Sequence, residues 1–234
     1  MRTHRLELRY PAGWESISRG LGGSPGRIAL LCGASGIFTL GLALAGATRQ
    51  PFAVIDGAMR FNSYTLSRIA ASLGMPPKEL LRRTHVTRSF TAYQTEAAIT
   101  LKLPRFLQGR PGCTLVVILG LLDTYYDEQV SPQECRGSIE RVLEAVRQLA
   151  STNVHVLITD TEVSNAPAGK EILFPMLRAA ADMVVTLDTT EGRYALISSG
   201  RESGIRSGAD LVPSSPVGLM DKQTKTSNAI QIYR

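Results

Sequence analysis

Apolar residues come along this chain in two kinds of burst that take turns. One kind is short, unbroken and closed by a turn residue or an acid: IALLCG (28–33), PFAVID (51–56), TLVVILGLLD (114–123), HVLITD (155–160) and MVVTLD (183–188), with RYALISS (193–199) following the last. The other kind is longer and spaced for a helix. IFTLGLALAGA (37–47) has the length and Leu/Ala content of a buried helix, and SYTLSRIAASLG (63–74) follows. SIERVLEAVRQLA (138–150) sets Ile139, Val142, Leu143, Val146 and Leu149 on one face. Strands that are apolar throughout and alternate with helices predict an α/β domain whose mostly parallel sheet is covered on both faces. The last two strands are expected to form a closing antiparallel hairpin.

The stretch from Arg27 to Arg49 contains 21 consecutive uncharged residues, long enough for a membrane span at about 20 residues. Its interior argues against one. Gly33, Gly36, Gly41 and Gly46, with Ser35, Thr39 and Thr48, dilute the hydrophobicity, and GASG divides the run into a strand-like and a helix-like half. Strand, glycine-rich turn and buried helix is also the arrangement in which backbone N–H groups at a helix start hold phosphate.

Composition adds three points. The chain has 234 residues, 44% hydrophobic and 20% charged, which suits one globular domain and excludes a disordered chain. Cys32, Cys113 and Cys135 lack metal-ligand spacing, and the charged N-terminus lacks an apolar leader core, so a cytoplasmic protein without a structural metal is expected. The net charge of +6 is unevenly placed: residues 1–110 carry 15 Lys/Arg against 5 Asp/Glu, and residues 111–190 carry 5 against 11. A polarised chain of this kind can bind an anion with one face or stack on copies or partners of opposite sign. His4, His85 and His155 are scattered, with no paired metal or nucleophile motif, and His155 reads as a core residue of its strand.

Six segments in order resemble the RecA-fold recombinase family, in particular its RadA and RadB branch. They are GWESISRGLGG (13–23), GRIALLCGASG (26–36), AVIDGAMRFNSYTLSRIA (53–70), HVTRSFTAYQTEAAI (85–99), LVVILGLLDTYYDE (115–128) and VHVLITDTEV (154–163). The resemblance implies a RecA-like core spanning 1–234, with 1–27 as a lead-in segment, 221–234 as a flexible tail, and no separate N-terminal helical DNA-binding domain.

The same resemblance shows what is missing. A Walker A loop reads G-x-x-x-x-G-K-[ST], its lysine reaching the phosphates and its hydroxyl holding Mg²⁺. With Gly33 as the first glycine, Phe38 takes the second, Thr39 the lysine and Leu40 the hydroxyl, and residues 28–48 hold no Lys or Arg. Arg49 lies at the far end of the helix, about 15 Å away at 1.5 Å per residue. Ala58 stands where the family's water-activating glutamate is expected, while Asp123 is taken as the surviving Walker B acid. Gly33, Ser35, Gly36 and Thr39 are therefore read as a relic loop with no nucleotide cofactor, and the chain as a pseudo-ATPase.

The family's two DNA-contacting loops map to 124–137 and 161–175. The first carries Asp127, Glu128 and Glu134 against Arg136, a poor phosphate binder, with Tyr125 and Tyr126 able to stack on bases unless they pack inward. The second carries Lys170, followed by Arg178. Further basic candidates for nucleic-acid contact are Lys78, Arg82, Arg83 and Arg88, with the solvated end of a helix as the alternative reading of 78–88, and Arg201 and Arg206 in a Gly/Ser-rich loop. The expected function is a nucleotide-independent DNA-binding or recombinase accessory factor in recombination or repair, with DNA and a RecA/RadA-type recombinase or a second copy as partners and no membrane. The alternatives are a scaffold subunit that pairs with an active RecA-fold ATPase without touching DNA, and an ATPase with an atypical loop.

Overall fold

The computed structural model describes residues 26–33, 36–164, 166–190 and 193–200. Arg201 and Arg206 lie outside these residues, as do the 1–27 lead-in up to residue 25, Ser35 and the 221–234 tail.

The uncharged run resolves into β1 (Ile28–Gly33) and α1 (Ile37–Ala47). No helix among the described residues is long and apolar enough to cross a membrane. There follow β2 (Phe52–Asp56), α2 (Ser63–Ser72), α3 (Pro77–Arg83), β3 (Thr84–Arg88), α4 (Ala92–Ala97) and, after one π-helical turn at Ala98–Lys102, α5 (Leu103–Gln108). The chain continues through β4 (Leu115–Leu119), α6 (Pro132–Ser151), β5 (His155–Asp160), α7 (Leu173–Ala180), β6 (Met183–Thr190) and β7 (Arg193–Gly200).

The strands lie in the order β3-β2-β4-β5-β1-β6-β7. The first six are parallel, and β7 pairs antiparallel with β6. Alternate residues of each inner strand feed opposite cores. Ala53, Ile55, Val116, Ile118, Val156 and Ile158 join the apolar side chains of α5, α6 and α7, whereas Phe52, Val54, Leu115, Val117 and Leu119 join those of α1, α2 and α3. Burial on both faces is why these strands read as unbroken apolar runs.

The glycines in α1 have a packing reason. A Cβ on Gly41 would fall 2.4 Å from Cγ2 of Thr159 in β5, so glycine lets the helix backbone lie directly on the sheet. Gly46 likewise would bring a Cβ to 3.2 Å from Leu73 and 3.3 Å from Leu80, so these two glycines reflect close packing of α1 on the sheet and on α2 and α3.

Three boundaries differ from the sequence expectation. Residues 78–88 do not form the end of one helix; α3 stops at Arg83 and Thr84–Arg88 pairs with β2 as the edge strand. Its alternation is hidden because its second half faces solvent. The strand expected to run to Asp123 stops at Leu119, since Gly120 turns the chain out of the ladder with φ +60 and gives its N–H to the Thr159 carbonyl. The helix expected from 138 begins at Pro132, started by a capping box in which Ser131 and Glu134 satisfy each other's backbone N–H groups. The loop expected over 124–137 therefore shrinks by six residues.

Candidate functional site

The parallel strands point their C-terminal ends at one edge of the sheet, the place where open α/β sheets bind ligands. Three aspartates collect there, from the ends of β2 and β5 and from the turn after β4. Asp56 is fully buried; its carboxylate accepts the N–H groups of Arg60 (2.8 Å) and Phe61 (3.0 Å), and Arg88 Nε lies 3.4 Å away. Asp160, also fully buried, accepts from Leu122 N–H (2.9 Å) and Thr161 N–H (2.9 Å). Burial pushes the Asp160 carboxyl up to about 7, and Asp123 adds to the push. Burial also raises Asp123, with Arg60 opposing and Asp56 reinforcing the shift. Tyr126, half-buried beside Asp160, Asp123 and Glu162, is pushed up to about 12, chiefly by burial.

Across the crevice, α1 begins at Ile37 behind Gly36, which offers no side-chain cap, and its first turn contains no acidic residue. Ile37 is fully buried, and the exposed Arg60 guanidinium stands 5.5 Å above the Phe38 ring. Thr39 is half-buried in the same turn. Ala58 fills the space beside the β4 turn: a Cβ added to Gly120 would meet the Ala58 Cβ at 2.2 Å. Of the three acids, Asp56 and Asp160 are fully buried with their oxygens on backbone N–H groups, Asp123 is half-buried, and the cations acting on them are Arg88 at Asp56 and Arg60 at Asp123. Among the described residues, no group of three or more His, Cys, Asp or Glu side chains is arranged to hold a metal ion. All three cysteines are free and buried.

Asp123 does not close the strand as a Walker B acid was expected to. It lies four residues past Leu119, displaced by the turn at Gly120. Asp160, which does close a strand, was not singled out from sequence. Its signal was visible, since HVLITD ends in an acid after a wholly apolar run, but PFAVID and MVVTLD carry the same one.

The predicted nucleic-acid contacts separate into engaged and open groups. Lys170 is engaged: it is 2% exposed, and its ammonium donates to the backbone carbonyls of Tyr125 (2.9 Å) and Asp127. The loop lysine expected to meet phosphate thus ties the turn after β4 to the loop after β5. Tyr125 is likewise packed, with its hydroxyl 2.9 Å from Ser138 Oγ. Arg83 reaches Met75 Sδ and Glu79. Arg88 donates to the Phe61 carbonyl besides facing Asp56, and Arg136 pairs with Glu140. Lys78, Arg82 and Arg178 are exposed; the first two stand four residues apart on α3, and Arg178 is on α7.

The Lys170 arrangement has a measurable consequence. Lys170→Met should destabilise the fold by about 2 kcal/mol, because two buried carbonyls lose a charge-assisted donor while each keeps a weaker one. Those weaker donors are Cys135 Sγ for Tyr125 and the Val130 N–H for Asp127. Hydrogen exchange should quicken across 124–131 ahead of the β-strands; equal protection in the variant and the parent would show that the lysine does not hold the loop.

The architecture is that of a RecA-like α/β domain. Among solved structures, the crystal structure of the RadB recombinase is similar to this chain, with a TM-score of 0.65 and 19% sequence identity over 86% of this chain and 92% of the other. The likeness is one of fold. No family model matches the chain, and no curated protein sequence does.

Proposed function

We propose that this chain is a RecA/RadB-like recombinase paralogue that does not hydrolyse ATP and acts without nucleotide as a DNA-binding or recombinase accessory factor in recombination or repair. One observation carries the reading. At the strand ends where a triphosphate would sit, the first turn of α1 carries buried Ile37, half-buried Phe38 and, at the lysine position, Thr39, so it brings no cation, and the acids Asp56, Asp123 and Asp160 lie at those strand ends. Phosphoryl transfer needs cations and Mg²⁺ to neutralise the charge that develops on the phosphate oxygens. A helix start without a lysine, beside three acidic side chains, does not supply them.

A scaffold role beside an active RecA-fold ATPase draws on the charge polarity alone. Nine Lys/Arg against three Asp/Glu fill residues 51–110, where β2, β3 and their helices lie, and the acidic excess falls on 111–190. An atypical nucleotide site draws on Arg60 standing over Phe38.

The deciding experiment is a titration of labelled single- and double-stranded DNA with purified protein, without ATP, at 50 and 200 mM salt. If about six phosphates are contacted, affinity should fall by about 10³ between the two conditions, and added ATP should change nothing. Absence of binding at low salt, together with a stable complex with a RecA-type ATPase, would support the scaffold. ATP hydrolysis by clean protein that Asp123→Ala abolishes would overturn the loss of catalysis.

A further inference from the structure

The turns after β2 and β3 carry an unusual surface for a folded domain. Tyr64 is 71% exposed, Phe90 62%, Tyr93 58% and Met59 50%. The two turns are bound to each other: Ser89 N–H donates to the Asp56 carbonyl (3.1 Å), and Arg88 Nη2 donates to the Phe61 carbonyl (2.9 Å). Their aromatic residues are set on fixed backbone. Asn62 caps α2 through the Tyr64 N–H, Thr91 caps α4, and Gln94 Oε1 accepts the Phe90 N–H. Tyr93, in the first turn of α4 and three residues past Phe90, lines an open groove of about 340 Å³. Ala92, Val130 and Gly137 supply its apolar lining and Gln133 a hydrogen-bond donor, while Arg141 on the same wall is held by Glu96.

Charge selects among possible occupants. The carboxylates of the 51–110 segment are all in use: Asp56 is buried against backbone N–H groups, Glu79 faces Arg83, and Glu96 binds Arg141 and Ser138. At the groove, Glu134 is held in the capping box of α6. Arg60, in the turn after β2, has no carboxylate within ion-pair distance among the described residues and lies over Phe38, while half-exposed Arg88, two residues before Phe90, is held by Asp56 and the Phe61 carbonyl. Aromatic faces interleaved with arginines, on a segment whose acids are neutralised, fit a polyanion that offers flat rings.

We propose that this rim is a stacking platform for single-stranded nucleic acid. Bases stack on Phe90 and Tyr93, one entering the groove, while the backbone runs along the Arg60 and Arg88 side and away from Glu134. The inference rests on the DNA-binding reading above and relocates the contact. The turn after β4 exposes Asp127 and Glu128, and the loop after β5 buries its lysine, so neither is suited to holding a strand.

The test is fluorescence anisotropy of a labelled oligothymidylate with the full chain and with Phe90→Ala, Tyr93→Ala and the double variant. Each single change should weaken binding about tenfold and the pair about a hundredfold, because one base stack is removed at each position. The salt slope should stay as in the parent, since phosphate contacts are untouched. Tyr93→Trp should keep its affinity and show fluorescence quenching by the oligonucleotide beyond that of Trp14; this reads the same contact if the double variant fails to fold. Parent-like binding by a folded double variant, or no added quenching, would overturn the platform and leave the DNA-binding reading standing. No binding by the parent at low salt would remove both. Loss of self-association with DNA affinity unchanged would mark the surface as a protein interface and overturn the proposal.

Discussion

Gly33→Ala should cost about 3–5 kcal/mol of folding stability, read as a lowered urea midpoint with an unchanged slope. Gly33 ends β1 in register with Leu187 of β6, at φ +113. A Cβ there would lie 2.2 Å from the Leu187 carbonyl oxygen and 3.0 Å from its carbon. Both obstacles are backbone, so relief requires prising β6 from β1. Gly36, three residues on, has a similar φ of +107 but open space around it, so Gly36→Ala should carry only dihedral strain, about 1–2 kcal/mol. Equal costs at the two positions would refute the strand-contact explanation. A large gap would show that the first glycine of this phosphate-loop pattern is required by the sheet, whether or not a phosphate ever binds.

The thermal midpoint of the parent chain should fall between pH 5 and pH 8, and Asp160→Asn should remove most of that fall. The folded state holds the Asp160 carboxyl at about 7 against an ordinary value of 3.8. Over that interval the folded chain binds a proton that the unfolded chain does not. The stabilisation is therefore complete below about pH 4 and is lost as pH rises through 7. Three units correspond to about 4 kcal/mol as an upper bound, and with the neighbouring Asp123 raised in the same direction a loss of about 2–4 kcal/mol is expected across the window. Asparagine keeps an oxygen for the Leu122 N–H. Glu96 works in the opposite sense: hydrogen bonds from Arg141 lower it, so its contribution disappears only at acid pH and does not overlap. A slope in Asp160→Asn equal to that of the parent would mean the carboxyl is ionised throughout.

Legibility in this chain followed burial. β1 and β5 stand where their apolar runs place them, and α1 begins and ends as its Leu/Ala content suggests, because two buried faces leave no polar residue to blur the pattern. β3 is not legible because none of its residues is fully buried, and THVTR reads as the continuation of KELLRR. The start of α6 is written in SPQE, a serine and a glutamate three apart around a helix-starting proline, whereas the family resemblance implies a loop over the same residues.

The site was less legible for a different reason. Charge type is local, whereas availability is not. Lys170, in a Gly/Ala/Pro-rich stretch, has every local mark of a solvent-facing cation, and only the approach of the turn after β4 turns it into a buried tie. Tyr93 and Phe90 are unremarkable in a string and become notable only when the packing leaves them uncovered. The absence of lysine and arginine from 28–48 and the alanine at 58 are properties of the string alone, because no folding can create a charge the chain does not encode. Which of the remaining charges are free, which acids share the strand ends, and how far Asp160 is driven from its ordinary pKa were decided by tertiary structure, since desolvation and pairing depend on neighbours tens of residues away.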